Sequence, residues 1–578
     1  MMLTEEVEFL IINTHRQTKA QRVTTGDWLG VHYLSAFLNS NGIKALSFAG
    51  YAHEIPGLLD NYAHGESMRM VGFSCDYENQ QEVIRFCRLF HAKNPKLKVV
   101  VGGPQAFALD AEFLRASGAD ALICGEGEIT TLELYNALVE ESFPLESVDG
   151  IKYLKDGNFV TNKPRALITN LDALPFPNAD YILGTLFRQN IASFLTGRGC
   201  PYSCSFCYEG GNTKGVRWRS VENVIAEVEQ VLSQRPDIHF VMFTDDTFTV
   251  NEARVRDFCR HLKTLRKRFD FRWFCEGHVR TLWQKDDLLK EMVEAGMICL
   301  QIGIESGDND VLAAYNKNIT TGMIEDVVKS AYSAGVWEIW GNIILGGALE
   351  TRERIEKNKA FAQRLFCLAP GALNMDVVYF WPLPGTRITT SPADFGMRIV
   401  DYASLSSRLD YPVVEYPGIT QKDFVNIRHE FMESFQHTVL ALTSKLSYER
   451  ALLILQNHNY TRNRTVWYNA LTTVEEFQVF LYLLNTGAAR RSTEINPDEI
   501  GDFHPMRTGH IEQFDEQHRA ICLGKSLSDV ETKILINASG KLSLHQLYEK
   551  MASTMAKDEV WETLVKLESK WLLVFSRF

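Results

Sequence analysis

Residues 197–207 read GRGCPYSCSFC and place Cys200, Cys204 and Cys207 close together in the chain. They follow IASFLTG (191–197), an apolar run that predicts a β-strand. Three thiols at C-x3-C-x2-C spacing can converge on one soft metal centre, either zinc or an iron-sulfur cluster. Structural zinc normally takes four ligands, and the following YEGGNTKGV offers neither His nor Cys. The spacing therefore favours a [4Fe-4S] cluster with three protein ligands and one open iron.

The cysteine run stands at the start of a long alternation of apolar strands and helical segments, residues 191–390. Six strands are predicted, in the order IASFLTG, HFVMFTDD, RWFCEGH, CLQIGIESG, EIWGNIILGG and LNMDVVYFWPLPGT. This pattern predicts a partial (β/α)6 barrel of the TIM type, in which functional groups collect at the carboxyl ends of the strands.

Residues 1–150 predict a second α/β domain. VEFLIINT, KALSFAG, MVGFSCD, LKVVVGGP and DALICGEGE are predicted strands with helices between them. The pattern predicts a doubly wound, Rossmann-like parallel sheet, whose ligands bind beyond the carboxyl ends of the strands. FSCDYEN (73–79), VGGPQAF (101–107) and CGEGE (124–128) mark those ends.

Two other stretches complete the chain. Residues 151–190 predict a hairpin and a Pro-rich connector, and residues 391–578 predict a mostly helical C-terminal region. At its end, from about residue 526, the capping-box patterns SDVE and SLHQ each begin a helix. A third helix and the strand WLLVF follow, which predicts a winged-helix-like module. Its acidic and basic residues nearly balance, so a peptide or protein contact, or simple packing on the barrel, is favoured over DNA.

Composition narrows the class of protein. Of 578 residues 45% are hydrophobic, which indicates a folded protein, and the formal net charge of −12 argues against a broad nucleic-acid surface. The eleven cysteines are an odd number, and most are scattered singly, unlike a secreted disulfide framework. The sequence has no signal-peptide pattern and no run long enough to span a membrane. We expect a cytoplasmic protein with neither a nucleic-acid nor a membrane partner.

The pattern C-x3-C-x-aromatic-C on the first strand-loop of a partial barrel resembles the radical SAM superfamily. The resemblance implies that Cys200, Cys204 and Cys207 hold a [4Fe-4S] cluster whose open iron binds S-adenosyl-L-methionine (SAM). The family's SAM-binding strand ends are matched by FTDDTF (243–248), GIESG (303–307), GNIILGGALET (341–351) and PLPGT (382–386). FTDDTF departs from the commoner Gly-Gly-Glu form. The implied SAM contacts are Phe206, Thr244, Asp245, Asp246, Glu305, Ser306, Asn342 and Ile344.

The first domain resembles the cobalamin-binding module of class B radical SAM enzymes. The matching segments are TGDWLGVHYLSAFLNSNG, VGFS, VVVGGP and GADALICGEGE. The implied cobalamin contacts are Ser74, Cys75, Asp76, Tyr77, Gly102, Gly103, Pro104, Gly125, Glu126 and Gly127. The family signature D-x-H-x-x-G is absent, since His15, His32 and His53 lie in other contexts. This implies a cobalamin without a protein histidine ligand, and a Rossmann-like domain that binds no cobalamin is the alternative.

Together the resemblances imply a cobalamin-dependent radical SAM methyltransferase. A 5'-deoxyadenosyl radical would abstract hydrogen from an unactivated carbon of a peptide or natural-product substrate, and methylcobalamin would deliver the methyl group. Enzymes that mature ribosomally made peptides have a similar C-terminal module, which favours a peptide. A flavodoxin or ferredoxin would donate electrons. The main alternative is a cyclase or ring-rearrangement enzyme without methyl transfer, and a cobalamin or iron-sulfur sensor is a further one.

Three residues outside the cofactor motifs are candidates for the substrate cavity. Tyr379, in VVYFWPLP near the end of the sixth predicted strand, is the candidate catalytic residue, although a tyrosine there is more often core packing. Glu276 and His278 follow the predicted strand FRWFCEG and could face the cavity. An ordinary polar strand end is the alternative for both.

Overall fold

The computed structural model forms two compact units. The first comprises the described residues of 1–336, 340–361 and 375–431, and the second those of 337–339, 362–374 and 432–578. The structure describes residues 6–15, 29–62, 67–76, 79–184, 190–208, 215–401, 411–443, 445–495, 501–509, 511, 513–522 and 525–577. Within these ranges no helix has both the length and the apolar character needed to cross a bilayer.

The first sheet contains eight strands and is flanked by five helices. In chain order the elements are β1 (Phe9–His15), α1 (Leu29–Ser40), β2 (Ala45–Tyr51), α2 (Ile55–Tyr62), β3 (Met70–Ser74), α3 (Gln80–Lys93), β4 (Lys98–Gly102), α4 (Ala111–Ser117), β5 (Ala121–Ile123), α5 (Gly127–Leu138), β6 (Ile151–Lys155), β7 (Asn158–Thr161) and β8 (Ile182–Leu183). The strand order is β7-β6-β5-β4-β3-β1-β2-β8. Strands β1 to β5 and β8 pair in parallel, whereas β6 and β7 form an antiparallel hairpin on the β5 edge.

Both faces of the first sheet are covered by helices, which confirms the predicted doubly wound architecture. Phe9 and Ile11 of β1 belong to one core cluster with residues of α1 and α5. Leu10 and Ile12 belong to the opposite cluster with residues of α2, α3 and α4. Successive side chains of a strand point to opposite faces, so an unbroken apolar strand is buried on both sides. The strand order reverses between β1 and β3, where such sheets bind ligands.

The second sheet contains the six strands predicted for the barrel. The elements are β9 (Ile191–Phe194), β10 (Gly197–Arg198), β11 (Arg217–Trp218), α6 (Val221–Gln234), β12 (Phe240–Phe243), α7 (Glu252–Leu265), β13 (Arg272–Gly277), α8 (Val279–Leu282), α9 (Asp286–Glu294), β14 (Met297–Ile302), α10 (Asn309–Ala314), α11 (Thr321–Ala334), β15 (Glu338–Leu345), α12 (Arg352–Leu368), β16 (Leu373–Tyr379), α13 (Arg387–Thr390), β17 (Arg398–Ile399) and β18 (Val414–Glu415). The strand order β16-β15-β14-β13-β12-β9 follows the chain, as in a (β/α) barrel. The antiparallel ribbon of β10 and β11 lies outside this sheet.

Polar residues in the preceding loops cap three helices of the barrel. Ser220, Asn251 and Thr320 each accept a backbone N–H from the first turn of the helix that follows. Such caps satisfy amide groups that the helix itself leaves unpaired. These loops are therefore held where they enter the helices.

The C-terminal region is helical with two small sheets. Its elements are α14 (Gln421–Thr443), α15 (Tyr448–Thr461), α16 (Val466–Leu471), α17 (Glu475–Asn485), β19 (Ala489–Arg490), β20 (His504–Arg507), β21 (Gln513–Phe514), β22 (Ala520–Cys522), β23 (Lys525–Ser526), α18 (Asp529–Asn537), α19 (Leu544–Met551), α20 (Lys557–Glu568) and β24 (Leu573–Ser576). Both predicted capping boxes form, at Ser528 and Ser543. The three predicted helices and the terminal strand are thus confirmed, and their assignment to a winged helix stays a prediction.

Candidate active site

A cavity of about 400 Å³ lies at the carboxyl edge of the first sheet. Its lining residues are Phe9, Ile11, Asn13, Leu29, Gly30, Val31, Leu34, Gly72, Phe73, Ser74, Val100, Gly102, Gly103, Pro104, Ile123, Gly125, Gly127, Thr131, Leu195 and Thr244. Leu195 directly follows β9 and Thr244 directly follows β12. The cavity therefore lies where the carboxyl ends of the first sheet meet two strand ends of the barrel.

Two residues that line this cavity carry buried polar side-chain atoms. Asn13 is 3% exposed and Thr131 is 0% exposed. Within the described part of the chain, Oδ1 of Asn13 and Oγ1 of Thr131 have no hydrogen-bond partner. Buried polar atoms rarely lack a partner in folded proteins. Both atoms are therefore suited to the polar groups of a bound ligand.

Glycines shape the loops around the cavity. Gly103 has φ +95°, and a Cβ added there would lie 2.7 Å from both the backbone N and O of Cys75. Gly125 has φ +91°, with open space where its Cβ would be. Only glycine adopts such positive φ without strain. The loops after β4 and β5 therefore present bare backbone to the cavity.

The cysteine loop follows the β10 ribbon. Among the described residues none of Cys200, Cys204 and Cys207 forms a disulfide, and all three are half-buried. The loop is anchored through Ser205, whose backbone N–H donates to the Tyr315 carbonyl at 2.9 Å and whose hydroxyl donates to the Ala314 carbonyl at 2.8 Å. The loop is thus fixed between its second and third cysteines.

The three sulfurs do not all lie as close together as a single bound zinc ion would hold them. Tetrahedral zinc at about 2.3 Å from each sulfur would hold the sulfurs about 3.8 Å apart. Among the described residues, Glu222, Asp257 and His261 bring three potential ligand atoms within 4.8 Å of one another. The sulfurs of the three cysteines do not all lie within this distance. A polynuclear cluster binds each cysteine to a different iron and allows the wider spacing.

A buried cation lies beside the cysteine loop. The Nζ atom of Lys317 lies 2.7 Å from Oε1 of Glu305 and 5.7 Å from the centre of the Phe206 ring. Burial raises the pKa of the Cys204 thiol to about 11, although the positive charge of Lys317 opposes the shift. Metal binding requires the thiolate, so a positive charge at this position favours the ligated form.

Carboxyl groups at the ends of β12 and β13 differ in their roles. Asp245 is buried, and its carboxylate accepts the Thr196 N–H at 2.6 Å and the Gly197 N–H at 3.3 Å. Asp246 is exposed. Burial, together with the carboxylates of Asp246 and Asp245, raises the pKa of Glu276 to about 8. Asp245 is therefore committed to the chain before the cysteine loop.

The residues predicted from GIESG and GNIILGG are brought together. Glu305 has φ +60°, its N–H donates to the Asn342 carbonyl at 2.8 Å, and the Ile344 N–H donates to the Glu305 carbonyl at 2.9 Å. The buried Ser306 hydroxyl donates to Oδ1 of Asn358 at 3.0 Å. The left-handed backbone of Glu305 is thus held by β15. The hydroxyl of Ser306 supports this turn.

Aromatic side chains surround the barrel mouth. Phe206 meets Tyr315 edge-on, with centroids 4.9 Å apart, and Tyr202 stacks on His278 at 3.9 Å. Burial lowers the pKa of His278 to about 3, so its imidazole is neutral at physiological pH. Tyr379 is 8% exposed, and the Arg428 guanidinium lies 5.4 Å from its ring centre. The catalytic role of Tyr379 stays a prediction.

Two family models match the chain. Residues 18–135 match the B12 binding domain, and residues 194–362 match the radical SAM superfamily. The chain is a cobalamin-dependent radical SAM enzyme. The B12 binding domain match includes most of the residues that line the cavity, and the radical SAM match includes the cysteine loop.

Relatives of this radical SAM enzyme include methyltransferases and cyclases. It is 29% identical over 401 residues to an uncharacterized methyltransferase of Pyrococcus horikoshii, covering 66% of this chain and 82% of the relative. It is 26% identical to the anaerobic magnesium-protoporphyrin IX monomethyl ester cyclase of Rubrivivax gelatinosus, covering 47% of this chain and 49% of the relative. The solved radical S-adenosylmethionine methyltransferase TsrM of Kitasatospora setae matches with a TM-score of 0.60 at 15% identity, covering 74% and 89%. That similarity establishes the shared fold.

The residues present fit the two cofactors. The three cysteines supply the soft ligands of a cluster, with Lys317 to balance negative charge. The cavity of the B12 domain supplies an apolar wall, bare glycine backbone and the unpaired atoms of Asn13 and Thr131. Ser74, Gly102, Gly103, Pro104, Gly125 and Gly127 were predicted for cobalamin and line this cavity.

The other predicted cobalamin contacts lie elsewhere or outside the described residues. The Cys75 thiol is buried against the Asp76 carbonyl, and burial raises its pKa well above the usual value. Asp76 Oδ1 accepts the Asn79 N–H at 2.9 Å at the start of α3. The Glu126 carboxylate is bound by Arg198 and Arg217. These three side chains shape loops rather than line the cavity. Tyr77 lies outside the described residues.

No histidine is among the described residues that line the cavity. His32 is buried, with Nδ1 2.8 Å from Oγ of Ser47, and burial lowers its pKa to about 3. His53 stacks on Tyr51. The side chain of His15 is not described. Cobalt without a histidine ligand stays a prediction.

Sequence reasoning missed several functional candidates. Lys317, Asn13 and Thr131 lie in segments with no local pattern that indicates a ligand site. Arg198 stands inside the quoted cysteine run, yet its carboxylate partners come from the other domain. These residues become candidates only through contacts distant in sequence.

Proposed function

We propose that this chain is a cobalamin-dependent radical SAM methyltransferase that methylates an unactivated carbon of a peptide or small natural product. The shared cavity carries the proposal. It is lined by the first sheet and by Leu195 and Thr244 of the barrel. A cobalamin in this cavity would lie beside the strand ends that bind SAM. The methyltransferase of Pyrococcus horikoshii among the relatives supports the same reaction class.

The chain's own residues would bind and orient the cofactors. Cys200, Cys204 and Cys207 would hold the cluster, and Lys317 would offset its negative charge. Asp246 and Glu305 would bind the polar end of SAM. When bound, the cluster with SAM supplies hydrogen-atom abstraction and cobalamin supplies a transferable methyl group. Phe206 and the buried strand ends would keep water away from the reacting carbon.

Product analysis tests the reaction class. Anaerobically reconstituted protein would be given hydroxocobalamin, a reductant and SAM carrying a deuterated methyl group, with a panel of peptides and small natural products. We expect a product that gains the labelled methyl group, with both S-adenosylhomocysteine and 5'-deoxyadenosine formed. A product that gains no label would contradict methylation.

A cyclase or rearrangement enzyme is the second candidate, because the Rubrivivax gelatinosus cyclase is a relative. The same assay separates the two. A cyclase would give 5'-deoxyadenosine and an unmethylated product, without S-adenosylhomocysteine.

The partners follow from the same proposal. A peptide substrate would contact the C-terminal module, and a flavodoxin or ferredoxin would reduce the cluster. Peptides with and without the segment upstream of the modified residue would be compared on the full chain. We expect loss of that segment to raise KM with little change in kcat, since it would serve binding alone. Equal KM values for the two peptides would contradict a role of the module in substrate binding.

A further inference from the structure

A group of buried charges joins the loop after β5 to the ribbon before the cysteine loop. Nη1 of Arg198 lies 3.0 Å from Oε1 of Glu126, and its Nη2 lies 2.6 Å from Oε1 of Glu128. Arg217, opposite Arg198 on the ribbon, lies 2.9 Å from the same Glu126 oxygen. The side chains of Arg198, Glu126 and Glu128 are 20%, 13% and 7% exposed. Such shielded, forked pairs hold geometry better than exposed ones.

The loop from Gly125 to Gly127 contacts both the cavity and the ribbon. Gly125 and Gly127 line the cavity, and the Glu126 side chain between them binds Arg198 and Arg217. The Ile168 N–H also donates to Oε2 of Glu126, at 2.7 Å. A ligand that presses on the glycine backbone would therefore act directly on the carboxylate that holds the ribbon.

Arg198, on the ribbon side of this contact, lies close in sequence to the first cysteine of the loop. Arg198 is separated from Cys200 only by Gly199, which has φ +91°. The two residues before Arg198 are held by Asp245 through the N–H groups of Thr196 and Gly197. Asp245 directly follows Thr244, which lines the cavity. The entry to the cysteine loop is thus fixed from two sides, and both supports adjoin the cavity wall.

We propose that Arg198, bound by Glu126 and Glu128, is a positioning residue that couples occupation of the cavity by cobalamin to the geometry of the cluster loop. Cobalamin bound against Gly125 and Gly127 would set the positions of both carboxylates, and these would set the position of Arg198 and Cys200. The proposal rests on the two cofactors of the proposed function. Because coupling between two sites is reciprocal, the cluster must also change the affinity for cobalamin.

The affinity for hydroxocobalamin measures this coupling. The Kd would be determined by equilibrium dialysis on cluster-free and on reconstituted full-length protein. For the wild type we expect the two Kd values to differ at least about fivefold, the lower end of typical coupling between sites. Arg198→Lys keeps the charge but cannot bind both carboxylates in a fork. The ratio of the larger to the smaller Kd should therefore fall towards one. Glu128→Gln keeps the shape and should lower the ratio partially.

An arginine-carboxylate pair elsewhere in the first domain provides the control. Nη1 of Arg69 lies 2.6 Å from Oε1 of Glu140, and its Nη2 donates to the Val139 carbonyl at 3.0 Å. Neither Arg69 nor Glu140 lines the cavity. Arg69→Lys makes the same change of side chain as Arg198→Lys and should leave the ratio of Kd values at the wild-type value.

Spectroscopy gives an independent readout. Hydroxocobalamin added to wild type reconstituted with 57Fe should change the Mössbauer quadrupole splitting of the oxidised cluster, and Arg198→Lys should abolish the change. Equal Kd values in the two wild-type forms, or an unchanged ratio in both Arg198→Lys and Glu128→Gln, would overturn the coupling. A wild type that binds no hydroxocobalamin in either form would instead overturn the proposed function.

Discussion

The cavity at the first sheet is enclosed mainly by backbone and apolar side chains, whereas the cysteine loop is surrounded by ionisable groups. Around the cavity, glycines and residues such as Phe9 and Val100 set the shape. Around the loop, Lys317, Glu305 and Glu276 set the charge. Added bulk should therefore damage the first site, and a removed ligand or charge should damage the second.

The largest effect is expected from a cluster ligand. Cys204→Ala removes one of three protein ligands, so we expect loss of about four irons per chain and of turnover. Hydroxocobalamin should still bind the cavity. Iron analysis and the visible spectrum measure the change. The matched control is Cys367→Ser, at an exposed cysteine, and full iron content in Cys204→Ala would refute the assignment of the loop.

A substitution at the cavity should have the opposite effect, which is loss of cobalamin affinity without loss of iron. In Gly103→Ala the new Cβ would meet the Cys75 backbone at 2.7 Å, and φ +95° disfavours any side chain. We expect hydroxocobalamin affinity to fall at least about tenfold, or about 1.4 kcal/mol, with iron content unchanged. Gly57→Ala is the control, since that position in α2 has open space. A normal Kd for Gly103→Ala would exclude this loop from the site.

These two sites also show how far sequence reasoning reaches. The glycines and cysteines could be predicted, because each has a backbone or ligand requirement that leaves a local pattern. Both βα series could be predicted from apolar strands at regular spacing. The resemblance implied Glu126 as a cobalamin contact, yet its carboxylate binds two arginines of the other domain. Side-chain direction depends on partners distant in sequence, which a local pattern does not contain.

A smaller effect is expected from the charge beside the cluster. Lys317→Met removes a buried cation, which should disfavour the extra electron of the reduced cluster. We expect the reduction potential to fall on the order of 60 mV, about 1.4 kcal/mol for one electron. The double variant Lys317→Met with Glu305→Gln avoids an unpaired buried carboxylate. Because it removes one charge of each sign, its potential should lie between those of Lys317→Met and the wild type. Lys317→Arg keeps the charge and should restore the potential, and equal potentials in all variants would place the cation too far away to act.

The smallest effect concerns Glu276 in the cluster-free protein. Burial, with the carboxylates of Asp246 and Asp245, raises the pKa of Glu276 to about 8, above the ordinary value of about 4.3. Between these values the unfolded chain loses the proton while the folded chain keeps it, so stability falls as pH rises from about 5 to 8. Above about pH 8 this dependence ends. Glu276→Gln carries no such proton, so its Tm should fall less than the wild-type Tm between pH 6 and 8, and parallel Tm profiles would mean that Glu276 is already ionised beside the cysteine loop.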